Sequence, residues 1–108
     1  MNAPKTLDKF ITLLGILSHR ERLCFPLRDG IQNKYAEFEA TTLEVYVTSI
    51  NGGKQNVNFK ITTKDGKVVK NQEGKVLLNK SRYFNKCTVD FLENFYIMIG
   101  GNAVEENV

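Results

Sequence analysis

Apolar and polar residues alternate along two adjacent segments of this chain. Leu43, Val45 and Val47 are interleaved with Glu44, Tyr46 and Thr48, and Val57, Phe59 and Ile61 with Asn58, Lys60 and Thr62. A period of two sends one set of side chains to a buried face and the other toward solvent, as in a strand lying on a core. Between the segments stands Asn51-Gly52-Gly53, and Asp65-Gly66 follows the second. Asn-Gly supplies the positive φ angles of a tight turn, so residues 43–69 predict a β-hairpin leading into a further turn.

The rest of the chain reads as more strands. Residues 1–6 are a loose end, since Pro4 discourages regular structure. The apolar run over residues 10–17 (FITLLGIL) fits a buried strand or a short helix, with Thr12, Gly15 and Ile16 favouring the strand. Residues 18–22 form a solvated link, and Leu23-Cys24-Phe25 a short strand stopped by Pro26. Residues 36–40 are ambiguous between helical turn and strand. A strand begins at Lys67, Gly74 separates it from Val76-Leu77-Leu78, and residues 83–89 add another. Phe95, Ile97 and Ile99 alternate in a last strand ended by Gly100-Gly101. Turns spaced by about 8–12 residues and no long amphipathic helix predict an all-β fold, a two-sheet antiparallel β-sandwich of about seven to eight strands. The domain is expected over residues 7–101, with residues 102–108 as a tail or linker stub.

At 108 residues the chain is expected to close one core, and with no Trp that core falls to seven Phe, four Tyr and aliphatic residues. Cys24 and Cys87 lie too far apart for a local metal knuckle or redox pair, and a lone His leaves a zinc site short of ligands. Two readings stay open for them. A disulfide closing so long a loop would stabilise the fold by about 4 kcal/mol, and two buried free thiols would suit a cytosolic protein. No segment reaches the roughly 18 apolar residues of a membrane-spanning helix. Residues 10–17 follow lysines as a signal-peptide core would, but Ser18-His19-Arg20-Glu21-Arg22 stands where a small-residue cleavage site is required.

The order of these features resembles the Golgi-dynamics (GOLD) domain of the transmembrane cargo receptors that cycle between endoplasmic reticulum and Golgi. The resemblance runs over residues 10–99. It is carried by the apolar first segment, the basic link before Cys24-Phe25, the segment ending in Gly52-Gly53, then Asn56-Val57-Asn58-Phe59, Lys64-Asp65-Gly66, and Phe84 three residues before Cys87. Asn56 and Asn58 stand where that family usually has acids, and Lys64 where it often has Pro. The resemblance implies a disulfide between Cys24 and Cys87. It also implies a lumenal domain of the endoplasmic reticulum and Golgi that binds protein cargo or sister receptor subunits, in homo- or hetero-oligomers. Targeting sequence and membrane anchor would then lie outside this chain.

Catalytic chemistry finds little to work with. His19 is the one side chain suited to acid–base work near neutral pH, and no Ser-His-Asp pattern accompanies it. Gly52-Gly53-Lys54 lacks the remaining glycine, the Ser or Thr and the following helix of a phosphate-cradling loop. No cofactor is implied, and the expected role is a non-enzymatic interaction module. Over residues 51–90, nine basic residues face three acids. This basic stretch defines the alternative, a cytosolic or viral β-domain binding single-stranded nucleic acid or a protein partner. Nucleic acid is disfavoured because Phe59 shares the alternating face of Val57 and Ile61 and belongs to the core. The expected contact surface comprises Gly52, Gly53, Lys54, Lys60, Lys64 and Lys67, reached through a sheet face or edge. Asn79-Lys80-Ser81 is a glycosylation acceptor only in a secretory compartment.

Overall fold

The computed structural model describes residues 4–77 and 86–101. Helix α1, Leu7–Gly15, begins at a capping threonine: Thr6 Oγ1 accepts a hydrogen bond from the Lys9 backbone N–H at 3.1 Å, and Asp8 places negative charge in the first turn. Leu7, Phe10, Ile11 and Leu14 recur at helical intervals, and the last three are buried. The strand favoured over residues 10–17 is therefore replaced by a helix. Periodicity alone did not separate the two, and the cap decides for the helix.

Strands β1 (Arg22–Pro26), β2 (Ala40–Asn51), β3 (Lys54–Thr63) and β4 (Val68–Leu77) form one antiparallel sheet in sequence order. The hairpin forms as expected. Asn51 pairs with Lys54, and Gly52 and Gly53, with φ of 58° and 78°, make the two-residue turn between them. Thr48 is an extra residue in β2, since Ser49 pairs with Asn56 on one side of it and Val47 with Val57 on the other. At the β3–β4 connection Gly66 takes φ 86° and its N–H donates to the Thr63 carbonyl at 2.9 Å. Single helical turns at Gly30–Gln32 and Ala36–Phe38 join β1 to β2.

Strand β4 runs unbroken through Gly74, against the expectation that this glycine divides two strands. Its role is close packing. A Cβ at Gly74 would lie 2.0 Å from Cζ of Phe91, so the ring occupies the space a side chain would need.

Helix α2, Lys86–Met98, replaces both the strand expected over residues 95–99 and the described part of the one expected over 83–89. Leu92, Phe95, Tyr96 and Ile99 are buried at helical spacing, a pattern that outweighs the alternation of Phe95, Ile97 and Ile99. Gly100, with φ 103°, ends it: the Gly100 N–H donates to the Ile97 carbonyl at 3.0 Å and the Gly101 N–H to that of Tyr96 at 2.9 Å.

Both helices cover the same face of the sheet. Phe10 of α1 meets Phe25 of β1 edge-on at 6.0 Å, Phe95 of α2 stacks on Phe59 of β3 at 4.7 Å, and Phe10 and Tyr96 lie 5.8 Å apart. Gln55 Nε2 donates to the Leu17 carbonyl, tying the end of α1 to β3. The fold is thus mostly antiparallel sheet, as expected. Among the described residues the second layer is a pair of helices rather than a second sheet, because the two segments expected to supply outer strands, 10–17 and 95–99, are those helices.

Candidate binding face of the sheet

The register assigns every outward side chain its neighbours. Arg22, Tyr46, Asn58 and Glu73 form one row across the four strands, and Cys24, Glu44, Lys60 and Asn71 the next. All lie opposite the helices, and no described element packs over them.

Tyr46 is the centre of this bare face. The Arg22 guanidinium lies 4.8 Å from its ring centroid and the Lys60 ammonium 5.6 Å, both within cation–π range. Asn58 Nδ2 donates to the Tyr46 hydroxyl at 2.8 Å and also to Asn71 Oδ1. Asn58 is only 4% exposed, so two of its hydrogen bonds go to side chains of the same face. Glu44 stands directly opposite Lys60 but pairs instead with Arg22 at 2.6 Å. Lys60 is left over the ring with no carboxylate partner among the described residues. At 60% side-chain exposure for Arg22, the Arg22–Glu44 pair orders the surface more than it stabilises the fold.

The residues expected to form one contact surface fall in three places. Gly52, Gly53 and Lys54 form the tip of the β2–β3 hairpin, Lys60 lies mid-face, and Lys64 and Lys67 sit in the β3–β4 turn at the other end of β3. Ten residues of strand put roughly 30 Å between the two ends. Tyr46, Arg22 and Asn58 were missed as site residues, although alternation already put Tyr46 and Asn58 on the polar side of their strands. What alternation could not supply was the β1–β2 register that brings Arg22 to Tyr46. His19 is exposed in the turn after α1. Asn79 and Phe84 lie outside the described residues.

Cys24 is a free, exposed cysteine on the bare face. Cys87 occupies the first turn of α2, and its side chain lies outside the described residues. Cys24 is therefore expected to take an alkylating label in the folded, unreduced protein, checked by peptide mass mapping. A bridge to Cys87 would instead keep it unlabelled until a reductant is added.

The sheet has two edges. β1 is five residues long and ends in Pro26, whereas β4 is ten residues long and contains no proline. Lys70 guards the longer edge. It pairs with the buried Ile61 and so belongs to the helix-covered side, yet it is exposed at the rim. A charge on the inward side of an edge strand opposes edge-to-edge pairing. Lys70→Ile is expected to convert a concentration-independent sedimentation coefficient into one that rises with protein concentration.

Comparison with known protein families, with curated proteins and with solved structures finds no match.

Proposed function

We propose that this chain is a non-enzymatic binding module whose contact surface is the bare face of its sheet. The observation that carries the reading is the division of the sheet: both helices pack on one side, and the other holds Arg22, Glu44, Tyr46, Asn58 and Lys60 as one linked polar group. A sheet backed by a packed core fixes where such side chains stand, which lowers the ordering cost of binding. Tyr and Arg are also the residue types that supply much of the contact energy in protein interfaces.

A protein partner is favoured over single-stranded nucleic acid. The described bare face offers one aromatic ring, Tyr46, already flanked by two cations, whereas strand binding draws on successive stacking rings. The narrower role of a lumenal cargo-receptor domain, with its sandwich and its Cys24–Cys87 bridge, rests on motif order alone. One member of that order, the apolar first segment, is a helix here, as is the end of the matched stretch at residues 95–98, so the binding module is proposed without the transport role.

Cys24 makes the test direct. In a Cys87→Ser background, a photo-crosslinker on Cys24 is expected to capture a protein from native extract in a nuclease-resistant adduct. The same reagent on Lys9→Cys, with Cys24→Ser, reports the exposed side of α1 and is expected to capture none. Equal capture from both positions overturns the reading. A nuclease-sensitive adduct, with salt-dependent binding of an oligonucleotide, transfers it to nucleic acid.

A further inference from the structure

At the hairpin end of the bare face, Asn51, Gly52, Lys54, Asn56 and Lys75 line an open notch of about 340 Å³. The register explains its composition. Lys75 stands opposite Asn56, and Lys54 is two residues before Asn56 on the same side of β3, so the two lysines are diagonal neighbours on adjacent strands. Diagonal positions lie within reach of long side chains. Asn56 is held in place: its Nδ2 donates to Ser49 Oγ at 2.6 Å, while its backbone carbonyl accepts from Thr48 Oγ1 at 3.1 Å.

The lining contains two ammonium groups and two carboxamides, and no carboxylate. Two like charges placed side by side repel unless an anion joins them. The geometry points to a site for a phosphate monoester on the partner. A monoester carries close to two negative charges near neutral pH and three acceptor oxygens, matching two ammonium groups and the carboxamide donors. A backbone diester offers one charge and two free oxygens, and would leave one lysine uncompensated. Gly52 contributes through the turn, since its φ of 58° is a conformation that side-chain-bearing residues rarely adopt.

The inference rests on the bare-face reading and adds what the partner must carry: a phosphorylated side chain, seated at the hairpin, with the adjoining chain crossing Asn58 and Tyr46. Isotope-labelled full-length chain titrated with an alanine-flanked phosphoserine peptide is expected to show amide shifts at Gly52, Lys54 and Lys75. Inorganic phosphate moves the same amides, and the unphosphorylated peptide does not. Lys54→Ala and Lys75→Ala each weaken phosphopeptide binding by at least about fivefold, and Lys64→Ala, at the far end of β3, leaves it unchanged.

Four results overturn the site: no shift with either phosphate probe, equal shifts with both peptides, tighter binding of an eight-residue oligothymidylate than of the phosphopeptide, or an equal loss in Lys64→Ala. The two readings also separate. A doubly substituted Lys54→Ala, Lys75→Ala chain that still crosslinks its partner through Cys24 in undiminished yield removes the phosphate site and leaves the bare-face module standing. Loss of position-specific crosslinking in the unsubstituted chain removes both.

Discussion

Phe59→Ala is expected to lower the free energy of unfolding by about 3–5 kcal/mol, a large share of what a domain this size possesses. The reason lies in its position on the third strand. Phe59 is fully buried, its ring stacks on Phe95 at 4.7 Å with planes 4° apart, and the Phe91 ring meets it edge-on at 5.4 Å. Removing it takes away the surface on which α2 rests and leaves a void that the stiff sheet fills poorly. Urea denaturation followed by circular dichroism measures the loss. If the alanine variant does not fold, Phe59→Leu, which keeps much of the volume, is expected to lose about 1–2 kcal/mol. An unchanged midpoint in Phe59→Ala would show that α2 does not pack on β3.

Gly74→Ala is the second large effect, and its sign runs against intuition. Alanine in a strand ordinarily gains about 0.5–1 kcal/mol over glycine through the unfolded chain's entropy. Here the new methyl would stand 2.0 Å from Cζ and 2.7 Å from Cε2 of Phe91. Relief requires moving the ring, and with it the contacts Phe91 makes to Phe59 and Phe95. The expected cost is about 3 kcal/mol, at the upper end of what overpacking exacts. A double-mutant cycle isolates the cause: in a Phe91→Ala background, Gly74→Ala is expected to be neutral or slightly stabilising. If the penalty persists there, contact with the ring is not its source.

The same glycine shows where sequence reading stopped. The hairpin at Gly52-Gly53 was legible because everything that determines it lies within a few residues: the turn chemistry and two alternating flanks. β1 was legible too, ending at Pro26 as expected. Gly74 was read as a break because its purpose is contact with Phe91, a residue on another element. The helices differ for another reason. A continuous apolar run satisfies both periodicities, and Phe95, Ile97 and Ile99 happen to alternate over the last turn of a helix whose buried residues include Leu92, Phe95, Tyr96 and Met98. Thr6 was the discriminating signal for α1, a cap three residues ahead of the Lys9 N–H it accepts from.

The candidate site divides along the same line. Alternation placed Lys60 on the solvent side of β3, and the turn chemistry placed Gly52, Gly53 and Lys54 at a tip. Assembling residues that are close in sequence into a single surface failed, because a ten-residue strand carries Lys64 and Lys67 to the opposite end from that tip. The Arg22–Tyr46–Lys60 group depends on two strand registers at once, which local pattern does not determine.

The extra residue at Thr48 has a consequence for how the chain tolerates changes in length. The two-residue turn, left to itself, would continue the pairing of Asn51 with Lys54 down the hairpin and set Val47 opposite Asn58, an apolar side chain against a polar one. One surplus residue in β2 restores the match, so that Val47 meets Val57 and Tyr46 meets Asn58. Parity along the hairpin is thus balanced at Thr48. Inserting another residue between Thr42 and Val47 would exchange core and surface along β2 from that point as far as the second register shift, between Ala40 and Thr42. Residues added at the β3–β4 turn reverse no face, so length changes are expected to be tolerated there.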